Sequence, residues 1–326
     1  MRTTVSALII LSVTLVLVPA ADISLGTLAF TAQPENLQIP LHIASQTELQ
    51  SKVVIVTFDD TTVFRETGFY ENGTPHYPGG FLFNLASAVP LMRLHPEGNE
   101  DLGIGFDVRW MVPFMTMENW VAMSMEFIID LGITISPVEG LAVGVSRKHI
   151  CSHLLDRALF TSGDGFLGIA PSDVDPQHGP MAIRDSVIFS AHFAPEKVLG
   201  LAHENFESSL YIDYAYSLPG WDPLEDARYT RPSYRTSQYY QYGAQANLYL
   251  RNELVDIGGI YAACNFSFYA NSGYTQNTGY SIGYILPFSI GGRTFRIDYS
   301  FYDGRAVNEE HYGHRERYTT MGLLLQ

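Results

Sequence analysis

The chain reads as all-β: an antiparallel transmembrane β-barrel of about 12 strands, or failing that about 10, behind a signal peptide and an irregular N-terminal extension. Three observations carry this. Residues 240–251 place apolar side chains at every even position, from Tyr240 to Leu250, and polar or small ones at most odd positions. That period of two defines a strand with one oily face and one wet face. The pattern recurs to the C-terminus, and 20 Tyr and 19 Phe supply the aromatic residues that favour strands and membrane–water interfaces.

Residues 1–21 have the form of a secretory signal. Arg2 gives the positive start, Ala7 to Val18 the apolar core, and Val18-Pro19-Ala20 or Pro19-Ala20-Ala21 a small-residue cleavage site. The mature chain then begins near Ala21 or Asp22. The apolar run is shorter than a spanning helix needs, so membrane residence must come from strands.

Residues 22–79 form the extension, which is poor in alternation and rich in turn residues such as Glu71-Asn72-Gly73-Thr74-Pro75. Within it only Lys52 to Phe58 is strand-like. The extension fits a plug, a periplasmic segment or a first strand.

Residues 80–326 form the barrel, with strands expected near 80–94, 102–114, 121–136, 140–154, 185–193, 207–218, 239–251, 257–270, 278–288, 293–303 and 317–325. Residues 52–58 complete an even set. Facing is clear near the C-terminus: Phe295, Ile297, Tyr299 and Phe301 oppose Arg296, Asp298 and Ser300. With the oily face toward lipid, Gln245, Asn247, Arg296 and Asp298 line the lumen. Small residues opposite the oily face, such as Gly279, Ser281 and Gly283, suit that interior. A soluble periplasmic β-sandwich that binds a ligand inverts the arrangement, burying the oily faces together. Long connections near 155–184 and 219–238 alternate with short ones such as Pro137-Val138-Glu139-Gly140 and Ser289-Ile290-Gly291-Gly292, as in outer-membrane barrels.

The formal net charge of −15 becomes −16 once Arg2 is removed, which disfavours nucleic acid as a partner. Outer-membrane lipid and a small solute are the partners expected. Cys151 and Cys264 could pair in an oxidising compartment, but Cys264 alternates with oily residues while Cys151 shares a face with His149 and His153, so a bond would have to cross the wall.

Chemistry concentrates in Arg147-Lys148-His149-Ile150-Cys151-Ser152-His153-Leu154-Leu155-Asp156. His149 and His153, four residues apart on a strand, stand about 13 Å from each other, too far to clamp one metal ion. A His–Ser pair is the alternative, with His149 or His153 as base and Ser152 as nucleophile. Alternation, however, puts Ser152 on the face opposite both histidines, which are expected to line the lumen. The segment Asn308-Glu309-Glu310-His311-Tyr312-Gly313-His314-Arg315-Glu316-Arg317 suits a solvated loop or a divalent ion. No GxGxxG, Walker, CxxC, HExxH or GxSxG motif occurs, and no cofactor or metal is expected.

His149-x-Cys151-Ser152-His153-Leu154-x-Asp156 resembles the His-x-Ser-Ser-His-Leu-Gly-Asp-Glu strand of the domain of unknown function 1207 family, exported bacterial proteins regarded as outer-membrane barrels. Arg184-Asp185, Phe301-Tyr302-Asp303-Gly304-Arg305 and Arg315-Glu316-Arg317-Tyr318 extend the resemblance in order over roughly residues 100–326. It departs at Cys151, Leu155 and Arg157, which replace Ser, Gly and Glu. The resemblance implies location and fold, and no reaction. The sequence therefore favours a passive outer-membrane barrel, a small channel, binding surface or structural protein, over a lipid hydrolase.

Overall fold

The computed structural model describes residues 21–25, 27–34, 36–45, 50–58, 70–71, 74–75, 79–117, 122–154, 181–201, 203–218, 238–251, 255–270, 276–290, 293–305 and 315–325. The signal-peptide reading and most of the two long connections lie outside them.

The first strands are β1 (Ala21–Leu25), β2 (Leu28–Ala32) and β3 (Ser51–Phe58), followed by the small hairpin β4 (Tyr70–Glu71) and β5 (Thr74–Pro75). Then come β6 (Gly79–Pro96), β7 (Gly103–Met117), β8 (Ala122–Val138), β9 (Leu141–Leu154) and β10 (Met181–Phe193). A single turn of helix, α1 (Pro195–Val198), leads to β11 (Phe206–Ser217), β12 (Tyr239–Arg251) and β13 (Asp256–Tyr269). The last are β14 (Gln276–Ile290), β15 (Arg293–Arg305) and β16 (Arg315–Leu325).

Neighbours from β6 to β16 pair antiparallel in chain order, and β3 fits between β16 and β6. Those 12 strands close on themselves, which removes every wall edge. Two packed sheets are not what the chain forms. The wall thus takes in residues 51–58, ahead of the Gly80 boundary that alternation marks. β2 adds to the same side of β6 lower down, pairing Leu28 with Pro96, and β1 folds back on β2.

Burial inverts the order of a soluble protein. In β11, Ser209, Tyr211, Asp213, Ala215 and Ser217 are buried while Leu210, Ile212, Tyr214 and Tyr216 are exposed. The same holds in β15, where Arg296, Asp298 and Ser300 are buried and Ile297 and Tyr299 exposed. Polar side chains fill the interior, and apolar ones form an outer band. Aromatic rings meet across that band toward one end: Tyr240 stacks on Phe268 at 5.2 Å, and Tyr242 lies tilted against Phe266 at 5.5 Å.

The C-terminal ends of β6, β8, β10, β12 and β14 lie at one end of the barrel, where the sequence between successive strands is mostly short. The C-terminal ends of β3, β7, β9, β11, β13 and β15 lie at the other, where the sequence between successive strands is mostly longer.

Cys264 is free and lies between inward-facing Ala263 and Asn265. The side chain of Cys151 lies outside the described residues, and with it the expectation that a bond between the two would have to cross the wall. Their strands, β9 and β13, stand four spacings of about 4.8 Å apart around the wall.

Candidate functional site

Between β2 and β3 the chain enters the lumen, and the side chains there hold it from several walls. Arg93 on β6 donates to Asn36 O at 2.6 Å, Gln38 to Gly103 O at 3.2 Å, and Arg109 on β7 to Ile39 O at 3.1 Å. Further along, Ile43 N donates to Gln245 Oε1 on β12 at 3.1 Å, and Gln50 to His42 O at 2.7 Å. Irregular backbone inside a barrel needs partners for its amides and carbonyls, and polar wall residues supply them.

The tightest lock is His42. Its ring lies flat on Tyr211, with centroids 3.5 Å apart and planes 2° from parallel, and its Nε2 stands 3.4 Å from Asp213 Oδ2. Gln241 donates to the same oxygen at 2.7 Å, and Tyr211 OH donates to Asn265 at 2.8 Å. Small wall residues make room. A Cβ on Gly243 would come within 2.3 Å of the Tyr211 hydroxyl oxygen, and one on Gly279 within 2.4 Å of Ala44 O. The small interior read from the sequence is therefore filled by the extension itself.

Beside this segment, charges alternate on the inner wall, with Arg109 opposite Asp130 and Asp130 opposite Lys148. Asp107 stands 3.9 Å from Arg109, which is drawn toward the Ile39 carbonyl. Toward the short-connection end a chamber of about 430 Å³ opens beneath Asn36, Gln38 and Pro40. Gln245, Asn247 and Arg296 line it, and Asp298 lies inside the wall nearby, accepting from Tyr261 and Ser281. His192, an isolated residue in the sequence, lines the chamber too, and only the pairing of β10 in the closed sheet brings it there.

The histidine strand differs from its expected facing. Lys148 and Ile150 are buried, whereas His149 is part-exposed on the outer face, so it does not line the lumen. Both faces of β9 carry polar groups, and neighbours decide between them: Ile150 joins Ala86, Met111 and Ile128 in an apolar cluster inside the barrel. That turns Arg147 and His149 outward, where both meet Asp185 of β10. Arg147 Nη2 donates to Asp185 Oδ1 at 3.0 Å, and His149 Nδ1 lies 3.4 Å from Oδ2. In register, Tyr216 faces Val187 and Val187 faces Arg147, so the cluster lies beside the outward tyrosines of β11. Cys151, Ser152 and His153 pair through their backbones with Ile183, Ala182 and Met181. Their side chains, the whole of Asp156 and the loop 308–314 lie outside the described residues. Among the described residues no group of three or more His, Cys, Asp or Glu is placed to hold a metal ion.

No family model and no curated protein matches the chain. Solved structures that it resembles are outer-membrane barrels. Outer membrane phospholipase A from Escherichia coli has 12% identity over 85% of this chain and 90% of that one, with a TM-score of 0.48. The NanC porin has 8% identity over 85% and 99%, at 0.43, and the β domain of the Bordetella autotransporter BrkA has 7% over 85% and 98%, at 0.36. At such scores the likeness does not choose between a phospholipase and a porin.

Proposed function

We propose that the protein is an outer-membrane β-barrel of passive type, a small-solute channel or binding barrel whose lumen is closed by its own residues 36–45. The outer apolar band and aromatic belt support residence in a bilayer, with the longer connections outside and the short ones in the periplasm. The observation that carries the reading is the lumenal segment, bonded to β7 and β12 and packed on β11 through His42. An open pore would not keep that segment across its bore. We also assign the chain to the domain of unknown function 1207 family. The segments that carry the resemblance meet as partners: His149 with Asp185, and Asp303 with Arg317 at 2.8 Å.

Conductance in planar bilayers tests this. The intact protein is expected to conduct little, and a variant with residues 36–45 replaced by a Gly-Ser tract of equal length to conduct steadily. Equal conductance from both would refute the closed lumen. Recovery of the intact protein as a soluble periplasmic monomer, without detergent, would refute the membrane reading.

One observation favours a second reading, a hydrolase acting on envelope lipid. The imidazole Nδ1 of His149 stands 3.4 Å from the Asp185 carboxylate on the lipid-facing side, and a base beside an orienting carboxylate is the pair such an enzyme uses. For a passive barrel, incubation with phospholipid or lipid A is expected to release no fatty acid detectable by mass spectrometry. Release that disappears in His149→Leu or Ser152→Ala, with the fold retained, would establish the enzyme instead.

A further inference from the structure

The chamber at the short-connection end holds a buried cation whose hydrogen bonding is incomplete. Arg296 is 4% exposed; its Nη1 donates to Asn247 Oδ1 at 3.1 Å and its guanidinium carbon lies 4.8 Å from the centre of the Tyr261 ring. Its Nε, fully buried, has no acceptor among the described residues. The carboxylates around it are committed to other donors. Glu207 accepts from Asn247 at 3.0 Å and Tyr249 at 2.9 Å, Asp298 from Tyr261 and Ser281, and Glu196 from Ser208 N at 3.0 Å. Five strands away around the barrel His192, 7% exposed, has an Nε2 that likewise lacks a partner among the described residues.

A guanidinium taken out of water is costly unless an anion meets it, and its forked donors match a carboxylate. The chamber's 430 Å³ lies within the range of small-molecule pockets. We infer that this chamber binds a small solute bearing one carboxylate, which sits on Arg296 while the rest of the molecule extends toward His192 beneath the lumenal segment. The rim explains why a singly charged acid is preferred to a phosphate. Asp101, Glu139, Glu196 and Glu207 also line the chamber, outnumbering its other lining cation Lys197, and repel a dianion more strongly than a monoanion.

The inference rests on the passive-barrel reading, and the two fail separately. Lipid hydrolysis would overturn that reading, whereas the titration below concerns the chamber alone. Full-length protein in detergent would be titrated calorimetrically with gluconate, alanine and inorganic phosphate, with sorbitol as the uncharged control. Saturable binding is expected for gluconate or alanine, weaker binding for phosphate and none for sorbitol. Arg296→Gln is expected to lower the affinity at least about tenfold, and Arg296→Lys to fall between. Heat-dependent electrophoretic mobility checks that each variant folds. For the intact protein, the bound carboxylate is expected to shift an arginine Nε–H resonance in ¹⁵N spectra, so the test stands even if Arg296→Gln does not fold. Absence of saturable carboxylate binding, tighter binding of phosphate, or unchanged affinity in folded Arg296→Gln would overturn the site.

Discussion

Replacing His42 with Leu is expected to free the lumenal segment while the barrel stays closed. His42 and Asp213 are 3% and 4% exposed, and the leucine takes from the buried Asp213 carboxyl its imidazole partner, leaving Gln241 donating to Oδ2. Leaving a buried polar group without its partner costs about 1–3 kcal/mol, and more where the group is charged. The flat stack on Tyr211 is lost as well. The wall strands do not depend on His42 for their pairing, so the cost falls on docking of the segment, which is tethered through β2 and β3 at its two ends. At about 3 kcal/mol the undocked population rises about 100-fold, and proteolysis within residues 36–45, mapped by mass spectrometry, should rise with it. Asp213→Asn removes the charge but keeps the shape, so its effect should be smaller. Equal cleavage of wild type and His42→Leu would show that the other bonds, such as Ile43 N to Gln245, hold the segment without it.

Alternation in the sequence located the wall strands because each one had to solve the same problem, an oily side for the outer band and a polar side for the interior. It worked best where the faces differ most, as in β11 and β15. It worked least in β9, where Arg147 and His149 on one face and Ser146 and Lys148 on the other leave no oily side to read. There Ile150, an apparent outward residue, is drawn in by Met111 and Ile128 from neighbouring strands. The lumenal segment left no periodic trace because it is not regular structure. Its contacts are also distant in sequence: Ile43 meets Gln245 across 202 positions. The inward glycines signalled an interior needing space, but not that residues 36–45 occupy it. The cluster at Asp185 combined residues that the sequence presented separately, His149 in one motif and Arg184-Asp185 in another, and strand register alone joined them.

Ile282→Arg and Gln245→Arg put the same charge on the two faces of one wall, and the outcomes should diverge. Ile282 lies mid-strand in β14, 59% exposed, paired with Ala262 and Tyr299 in an apolar stretch of the outer surface. A guanidinium there would have to leave water for lipid near the middle of the band, at about 2–4 kcal/mol, and the yield of folding into bilayers should fall accordingly. Gln245 faces the polar lumen, where an arginine keeps polar neighbours and the folding yield should stay near wild type. Its own loss is local, because the arginine cannot accept the Ile43 N–H as Gln245 Oε1 does. Gln245→Arg should therefore resemble His42→Leu in exposing residues 36–45 to protease, and Ile282→Arg should resemble neither. Equal loss of folding yield from both substitutions would contradict the division of the wall into a lipid face and a lumenal face, and the closed-lumen reading would fall with it.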